Sequence, residues 1–171
     1  RRVVISTKTW AQNGGEAKKS LEKSLVELET DHIDVFLLHM VKADFVKGAR
    51  QVLSELSALK TTGTVRALGL STHSVKVVRE IASSEEVDVI MAICCNAKQA
   101  TINRYKEHIP LEDGSIEEML KAIQVVHQNE KGVIAMKVLG TGAPPLLKDY
   151  PSSITSIAKL DFVDTICIGM R

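Results

Sequence analysis

Short apolar runs rich in β-branched residues alternate with longer segments of helical period along this chain. On this pattern we predict six strands, at Val3–Thr7, Asp34–Leu38, Val65–Leu70, Val87–Ile93, Gly132–Lys137 and Val163–Ile168. Between successive strands, apolar residues recur at three- and four-residue spacing, as they do on one face of an amphipathic helix. Continuous apolar strands that alternate with such helices are typical of an α/β fold with a parallel sheet covered by helices.

Local signals mark the ends of several of the five predicted helices. Gly63 follows the second helix at a position suited to a C-cap, and Ser74 precedes the third as an N-cap. Ser115 and Glu118 form a capping-box pattern before the fourth helix. The fifth helix, at about 152–160, has the weakest apolar pattern.

Six parallel strands are compatible with two architectures. A doubly wound open sheet suits the length of 171 residues, but the Gly14–Gly15 pair after the first strand lacks the GxGxxG pattern of a dinucleotide-binding loop. A (β/α)8 TIM barrel needs eight strands and about 250 residues. Because the chain starts within one strand and ends directly after another, we favour an incomplete barrel. We expect residues 1–171 to form one barrel segment truncated at both ends.

Composition argues against several classes of function. The 22 basic residues nearly balance the 21 acidic ones, which is not the charge of a protein that binds nucleic acid or an anionic membrane. No apolar run approaches the ~20 residues of a membrane span. The three cysteines lack CxxC spacing and the five histidines are scattered, so we expect no metal site. We interpret the cysteines as small core residues of a cytoplasmic protein.

The second predicted strand is followed directly by a histidine, His39, and the first by a lysine, Lys8. Chemistry in α/β folds takes place at the carboxyl ends of parallel strands. Alternate residues of a strand share a face, so Lys8 and His39 would lie at the same mouth of adjacent strands. A cation there would lower the pKa of a neighbouring phenol. In the alternative interpretation, Lys8 extends into solvent and His39 is structural.

Five segments, in the right order, resemble the aldo-keto reductase family. Ser20–Leu25 and Asp31–His39 are similar to the helix and fourth strand of these enzymes, and Thr64–Ser71 to the fifth strand. Ser6–Lys8 resembles the end of the third strand and Asp164–Gly169 the eighth. The resemblance covers nearly the whole chain. It implies a (β/α)8 barrel of the divergent bacterial type that uses NAD(P)H to reduce aldehydes or ketones.

The resemblance also implies catalytic roles for two residues. Lys8 corresponds to the lysine that lowers the pKa of a catalytic tyrosine. His39 corresponds to the histidine that orients the substrate carbonyl and assists proton transfer. The family's tyrosine and aspartate belong to the second strand and the loop after it, so we expect them before Arg1. On this basis the 171-residue segment alone should be inactive.

Cofactor positions carry over from the family unevenly. Ser71 matches the serine that helps to hold the nicotinamide carboxamide, and Thr72 stands where the family usually has asparagine. Met136 occupies the position of an aromatic residue that often stacks on the nicotinamide. Lys137 follows as in some divergent members, although it could equally be a solvated lysine, and Gly140 suits a loop that approaches the cofactor closely. The implied cofactor is NADP(H), with NAD(H) as the alternative.

Three functional hypotheses remain open. The first is an NAD(P)H-dependent reductase of small-molecule carbonyl substrates. The second is a non-catalytic nucleotide-binding or regulatory barrel, suggested by the departures at Thr72, Met136 and Ala92, where the family has glutamine in the sixth strand. The third is a barrel enzyme that uses Lys8 as a Schiff-base nucleophile. No feature of the sequence indicates the substrate or the oligomeric state.

Overall fold

The computed structural model describes residues 3–95, 111–139 and 150–169. Six parallel strands form one sheet in the order β1-β2-β3-β4-β5-β6. The strands are β1 Ser6–Thr9, β2 Ile33–Leu38, β3 Val65–Thr72, β4 Val89–Ile93, β5 Gly132–Met136 and β6 Thr165–Ile166. Because each strand pairs in parallel with the next strand along the chain, the sheet is part of a (β/α)8 barrel. The predicted fold class is confirmed.

Helices connect the strands. They are α1 Gly14–Glu27, α2 Val46–Leu56, α3 Ala58–Thr61, α4 Val75–Ile81, α5 Ile116–Gln128 and α6 Tyr150–Ala158, and a 3-10 turn at Ala43–Phe45 precedes α2. The Ser74 N-cap and the Ser115–Glu118 capping box are both present. Gly63 has a φ of +77°, as expected of the residue that ends a helix. Every helix in the described ranges is too short or too polar to traverse a lipid bilayer.

Some predicted boundaries differ from the observed ones. The first strand begins at Ser6 and not at Val3, because the Ile5 N–H donates to the Asp34 carboxylate instead of to a strand carbonyl. The second predicted helix is broken at Ser57, whose N–H and hydroxyl both donate to the Ser54 carbonyl.

One expectation about the cysteines was wrong. Cys94 and Cys95 are buried, as expected, but Cys167 is exposed. Cys167 directly follows β6, which in the described part of the chain pairs with β5 alone. The apolar run around Cys167 is therefore not covered on both sides.

The strands separate two apolar layers. Along each strand, every second side chain points towards the helices and belongs to the larger apolar layer, as Leu38 does. The concave face carries the second, smaller cluster, with Leu37, Met91, Ile93, Cys95, Ile116, Ile134 and Met136. Lys8 pairs with Leu37 in the β1–β2 register and so lies on the concave face.

Carboxylates at the amino-terminal ends of three strands tie neighbouring strands together. Asp34, Asp88 and Asp164 lie at or next to the first residues of β2, β4 and β6. Each accepts a backbone N–H from the preceding strand or the residue beside it, and the donors are Ile5 at 2.9 Å, Leu68 at 2.9 Å and Val133 at 2.7 Å. These bonds lie at the end of the sheet opposite His39, so we interpret the three aspartates as stability determinants.

Replacing Asp34 should destabilise the fold. Its side chain is 8% exposed, accepts the Ile5 N–H and pairs with the Arg66 guanidinium. We expect Asp34→Ala to lower the free energy of unfolding by about 2 kcal/mol, because it leaves both donors without their acceptor. Urea unfolding followed by circular dichroism measures the change. Asp31→Ala, at a side chain 96% exposed, is the control and should change stability little. Equal losses in the two variants would contradict this role.

Candidate active site

Lys8 reaches across the concave face of the sheet. Its Nζ lies 3.8 Å from the Sδ of Met91 on β4, although Lys8 itself belongs to β1. The side chain is exposed, and within the described ranges it forms no ion pair with a carboxylate. A thioether sulfur is a weak acceptor, so the ammonium charge remains available to a group that enters the concave face.

His39 follows β2 directly and is held from three sides. Its backbone N–H donates to the Thr9 carbonyl at 2.7 Å, which extends the β1–β2 ladder beyond the strand ends. Its Nδ1 lies 2.9 Å from the Oγ of Ser71, which belongs to β3. The ring packs edge-on against Trp10, with centroids 4.4 Å apart and planes at 76°. The imidazole therefore has one defined orientation at the mouth of the sheet.

The surroundings of His39 favour its neutral form. Burial is the main cause that lowers the pKa of His39, and electrostatic interactions with Lys8, His73 and Lys137 lower it further. These three residues come from β1, the segment after β3 and the segment after β5. At neutral pH, His39 is therefore an uncharged donor and acceptor of hydrogen bonds, not a cation.

Ser71 and Thr72 are adjacent in β3 but make different contacts. The Ser71 hydroxyl accepts the Met40 N–H at 3.0 Å and contacts His39. The Thr72 hydroxyl donates to the Val41 carbonyl at 2.7 Å and accepts the Ser74 N–H at 3.1 Å. Both residues are fully buried. The structure brings Ser71 to His39, whereas the hydroxyl of Thr72 connects two strand-end segments.

Met136 and Lys137 occupy the carboxyl end of β5. Met136 is 7% exposed and belongs to the concave-face cluster. Lys137 follows it with a φ of +62°, in the left-handed region that few residues other than glycine adopt. Its charge acts on His39, so it lies at the same mouth. Gly140, the remaining predicted cofactor contact, lies outside the described residues.

A cleft of about 430 Å³ opens beside His39, between the segments that follow β1 and β2. Trp10, His39 and Phe45 provide ring surfaces, and Gln12, Lys42 and Asp44 provide polar groups. This mixture of apolar walls and a few polar side chains is typical of small-molecule sites.

Two residues of this region, Trp10 and His73, are not predicted from the sequence. Trp10, the single tryptophan, lies two residues after Lys8 and so shares its face of the strand, which is a signal that could have been used. His73 is 7% exposed and lies close enough to lower the pKa of His39. It directly follows the observed β3, but the predicted strand ended at Leu70, so the sequence signal for His73 was weaker than that for His39.

The cysteines are poor candidates for chemistry at this mouth. Burial raises the pKa of the Cys94 and Cys95 thiols to about 12, so neither is a thiolate at neutral pH. In the ranges that the structure describes, no group of three or more His, Cys, Asp or Glu residues could hold a metal ion.

The chain is similar in sequence to known reductases. A sequence model described as the aldo/keto reductase family matches residues 1–151. A methylglyoxal reductase of Yersinia pestis is 30% identical over 80 residues, which are 46% of this chain and 30% of that protein. A glyoxal reductase of Bacillus subtilis is 29% identical over 87 residues, 50% of this chain and 30% of that protein. The chain spans about a third of the length of the curated relatives that it matches.

Solved structures show the same fold. The holo form of the aldo-keto reductase AKR11C1 from Bacillus halodurans superimposes with a TM-score of 0.70 at 17% identity, over 98% of this chain and 62% of that one. MGS-M4, an aldo-keto reductase from a deep-sea metagenome library, gives 0.58 at 19% identity, over 85% of this chain and 47% of that one. The described strands and helices therefore correspond to part of a larger barrel.

Proposed function

Because the chain belongs to the aldo/keto reductase family, we propose that the protein is an NAD(P)H-dependent reductase of aldehydes or ketones. One observation carries the proposal. Lys8 and His39 come from adjacent strands to the same mouth, where Lys8 forms no ion pair within the described ranges and His39 is held neutral. These are the groups that family members use for proton transfer to a carbonyl oxygen.

In the proposed reaction, Lys8 and His39 act on the oxygen of the substrate carbonyl. The Lys8 ammonium stabilises the anionic form of a phenol beside it and so lowers the pKa of the tyrosine that we expect from sequence preceding this segment. The neutral His39 orients the carbonyl through a hydrogen bond. A nicotinamide held beside these residues would supply the hydride that the carbonyl carbon receives.

The residues at this mouth fit a nicotinamide. Met136 offers an apolar and polarizable surface and Lys137 a positive charge, whereas Ser71 is fully buried against His39. We propose that Met136 and Lys137 contact the cofactor, that Ser71 supports the site through His39, and that Gly140 contributes to the loop after β5. The hydroxyl of Thr72 already donates a hydrogen bond to the Val41 carbonyl. We propose that Thr72 takes part indirectly, by fixing the geometry of the segment at Val41.

Small α-oxoaldehydes are the first substrates to test. Relatives of this chain are named for the reduction of methylglyoxal and glyoxal, and the cleft of about 430 Å³ beside His39 accommodates compounds of that size. We propose NADP(H) as the cofactor and a cytoplasmic location. The cytoplasm suits the three free cysteines.

A non-catalytic, nucleotide-binding barrel is the second candidate function. Thr72 uses its hydroxyl within the fold, and Met136 replaces a ring at the proposed nicotinamide site. Ala92 packs in the helix-side layer, so its lack of an amide does not bear on a cofactor at the concave face. The features at Thr72 and Met136 would weaken cofactor contacts without affecting the barrel itself.

The two candidates differ in turnover. We expect the protein extended by its preceding barrel strands to oxidise NADPH in the presence of methylglyoxal, and residues 1–171 alone to show no such oxidation. Nicotinamide absorbance measures the rate, with NADH in a parallel assay. Nucleotide binding without turnover on any aldehyde or ketone tried would favour the second candidate. Turnover by residues 1–171 alone would place the proton donor within this chain.

Trapping with borohydride separates the Schiff-base hypothesis. A carbonyl substrate that reacts with the Lys8 amine would leave an adduct stable to borohydride at this residue. For the proposed reductase we expect none, because hydride transfer does not require a covalent intermediate.

A further inference from the structure

The hydroxyl of Ser71 has a defined set of neighbours. Ser71 is 0% exposed, so water does not reach it. Its Oγ accepts the Met40 N–H at 3.0 Å and lies 2.9 Å from the Nδ1 of His39. Met40 has a φ of +50°, and this left-handed turn directly after His39 lets the Met40 N–H and the His39 ring meet at the same oxygen.

These contacts determine where the protons lie. An N–H can only donate, so the Ser71 oxygen is an acceptor towards Met40. Its own O–H needs an acceptor, and in the described part of the chain the Nδ1 of His39 is the one within reach. If Nδ1 carried the proton instead, it would donate to Ser71 and leave a buried O–H without a partner, which folded proteins avoid.

We propose that Ser71 is a positioning residue, which donates its hydroxyl proton to the Nδ1 of His39 and so keeps the imidazole proton on Nε2. The consequence of this proposal for catalysis rests on the proposed reductase function. The groups around the His39 ring also favour a ring with one proton. Burial and electrostatic interactions with Lys8, His73 and Lys137 lower the pKa of His39, which favours a neutral ring with a single N–H.

This arrangement assigns a direction to each remaining hydrogen bond. The Nε2–H of His39 is a donor, which is what the oxygen of a carbonyl substrate requires. The Ser71 hydroxyl keeps its own proton, donates a hydrogen bond to Nδ1 and accepts the Met40 N–H. Because Ser71 is fully buried, we expect it to act on a substrate or cofactor through the His39 ring and not by direct contact.

Nitrogen-15 NMR of the histidine side chains tests the assignment without substrate or cofactor. In the protein at neutral pH, we expect the His39 Nδ1 resonance of an unprotonated nitrogen that accepts a hydrogen bond, and the Nε2 resonance of a protonated one. A slowly exchanging Ser71 hydroxyl proton close to the Met40 amide proton is the second expected signal. His39→Asn identifies the resonances among the five histidines.

Variants separate this role from a merely structural one. Ser71→Ala should abolish the hydroxyl signal and move Nδ1 to the position of a nitrogen without a hydrogen bond, whereas Ser71→Thr should retain both signatures. Ser84→Ala, which removes the hydroxyl of a buried serine before β4, at the opposite end of the sheet, is the control and should leave His39 unchanged. If Ser71→Ala does not fold, the wild-type and Ser71→Thr spectra still show which nitrogen of His39 carries the proton.

A protonated Nδ1 in the wild type would overturn the proposal, as would a Ser71→Ala variant that folds and keeps the wild-type Nδ1 resonance. Neither result would bear on reductase activity. Conversely, an inactive protein with the expected resonances would overturn the proposed function and leave the position of the proton intact.

Discussion

Replacing Lys8 with methionine, in the protein extended by its preceding barrel strands, should lower kcat for carbonyl reduction about 10²- to 10³-fold. The substitution keeps the length of the side chain and its contact with Met91, but it removes the ammonium charge from the concave face. Without that charge, the pKa of the proton donor returns towards the ordinary value of a phenol. Steady-state oxidation of NADPH measures the loss.

The pH dependence of kcat should change in a definite direction when Lys8 is replaced. Reduction needs the donor in its protonated form, so activity falls where the donor ionises. In the proposed mechanism Lys8 lowers the pKa of the donor, so its removal should raise that pKa and move the alkaline limb of the kcat profile to higher pH. A variant that changes only KM, or that keeps the wild-type alkaline limb, would show that Lys8 does not act on the donor.

Lys23→Met is the matched control for the loss of a lysine charge. Lys23 lies on the outer helix α1, not on the sheet. Its side chain is 74% exposed and pairs with Glu27. We expect kcat and its pH profile to be unchanged in this variant. Similar losses at Lys8 and Lys23 would mean that net charge matters and not the position of Lys8.

Gly69→Ala should produce the largest loss of stability in the sheet. A Cβ at Gly69 would lie 1.8 Å from the Val89 carbonyl oxygen and 3.1 Å from the Cδ2 of Leu37. The first of these atoms is backbone of the paired strand β4, so the clash is relieved only if β3 and β4 move apart. We expect the free energy of unfolding to fall by about 3 kcal/mol or more.

Gly132→Ala is the control, because Gly132 in β5 also pairs with Val89 in β4, from the side opposite Gly69. A Cβ at Gly132 would lie 3.1 Å from the Cγ2 of Val89, a side-chain atom that can shift. The expected loss is below about 1 kcal/mol. Urea unfolding of both variants gives the comparison. Equal midpoints for Gly69→Ala and Gly132→Ala would show that β4 adapts to the added methyl group.

The order and type of the elements follow from local pattern. Apolar periods of two and 3.6 residues distinguish strands from helices, and the signals at Gly63, Ser74 and Ser115 are read within a few residues of the chain. His39 and Lys8 were predicted for the same reason, because a polar residue at the end of an apolar strand is visible in a short window. Their meeting followed from the expectation of a parallel sheet.

Other features depend on contacts between residues distant in sequence, which no local pattern carries. The bond between Asp34 and Ile5 spans 29 residues, and the contact of His39 with Ser71 spans 32. Both require the register of neighbouring strands, and the second also requires the left-handed turn at Met40. The sequence thus sufficed for the elements and for placing Lys8 and His39 at the ends of adjacent strands, because periodicity and strand ends are local properties. The position of the imidazole proton depends on how three strands and one turn pack together, and only the folded chain shows that packing.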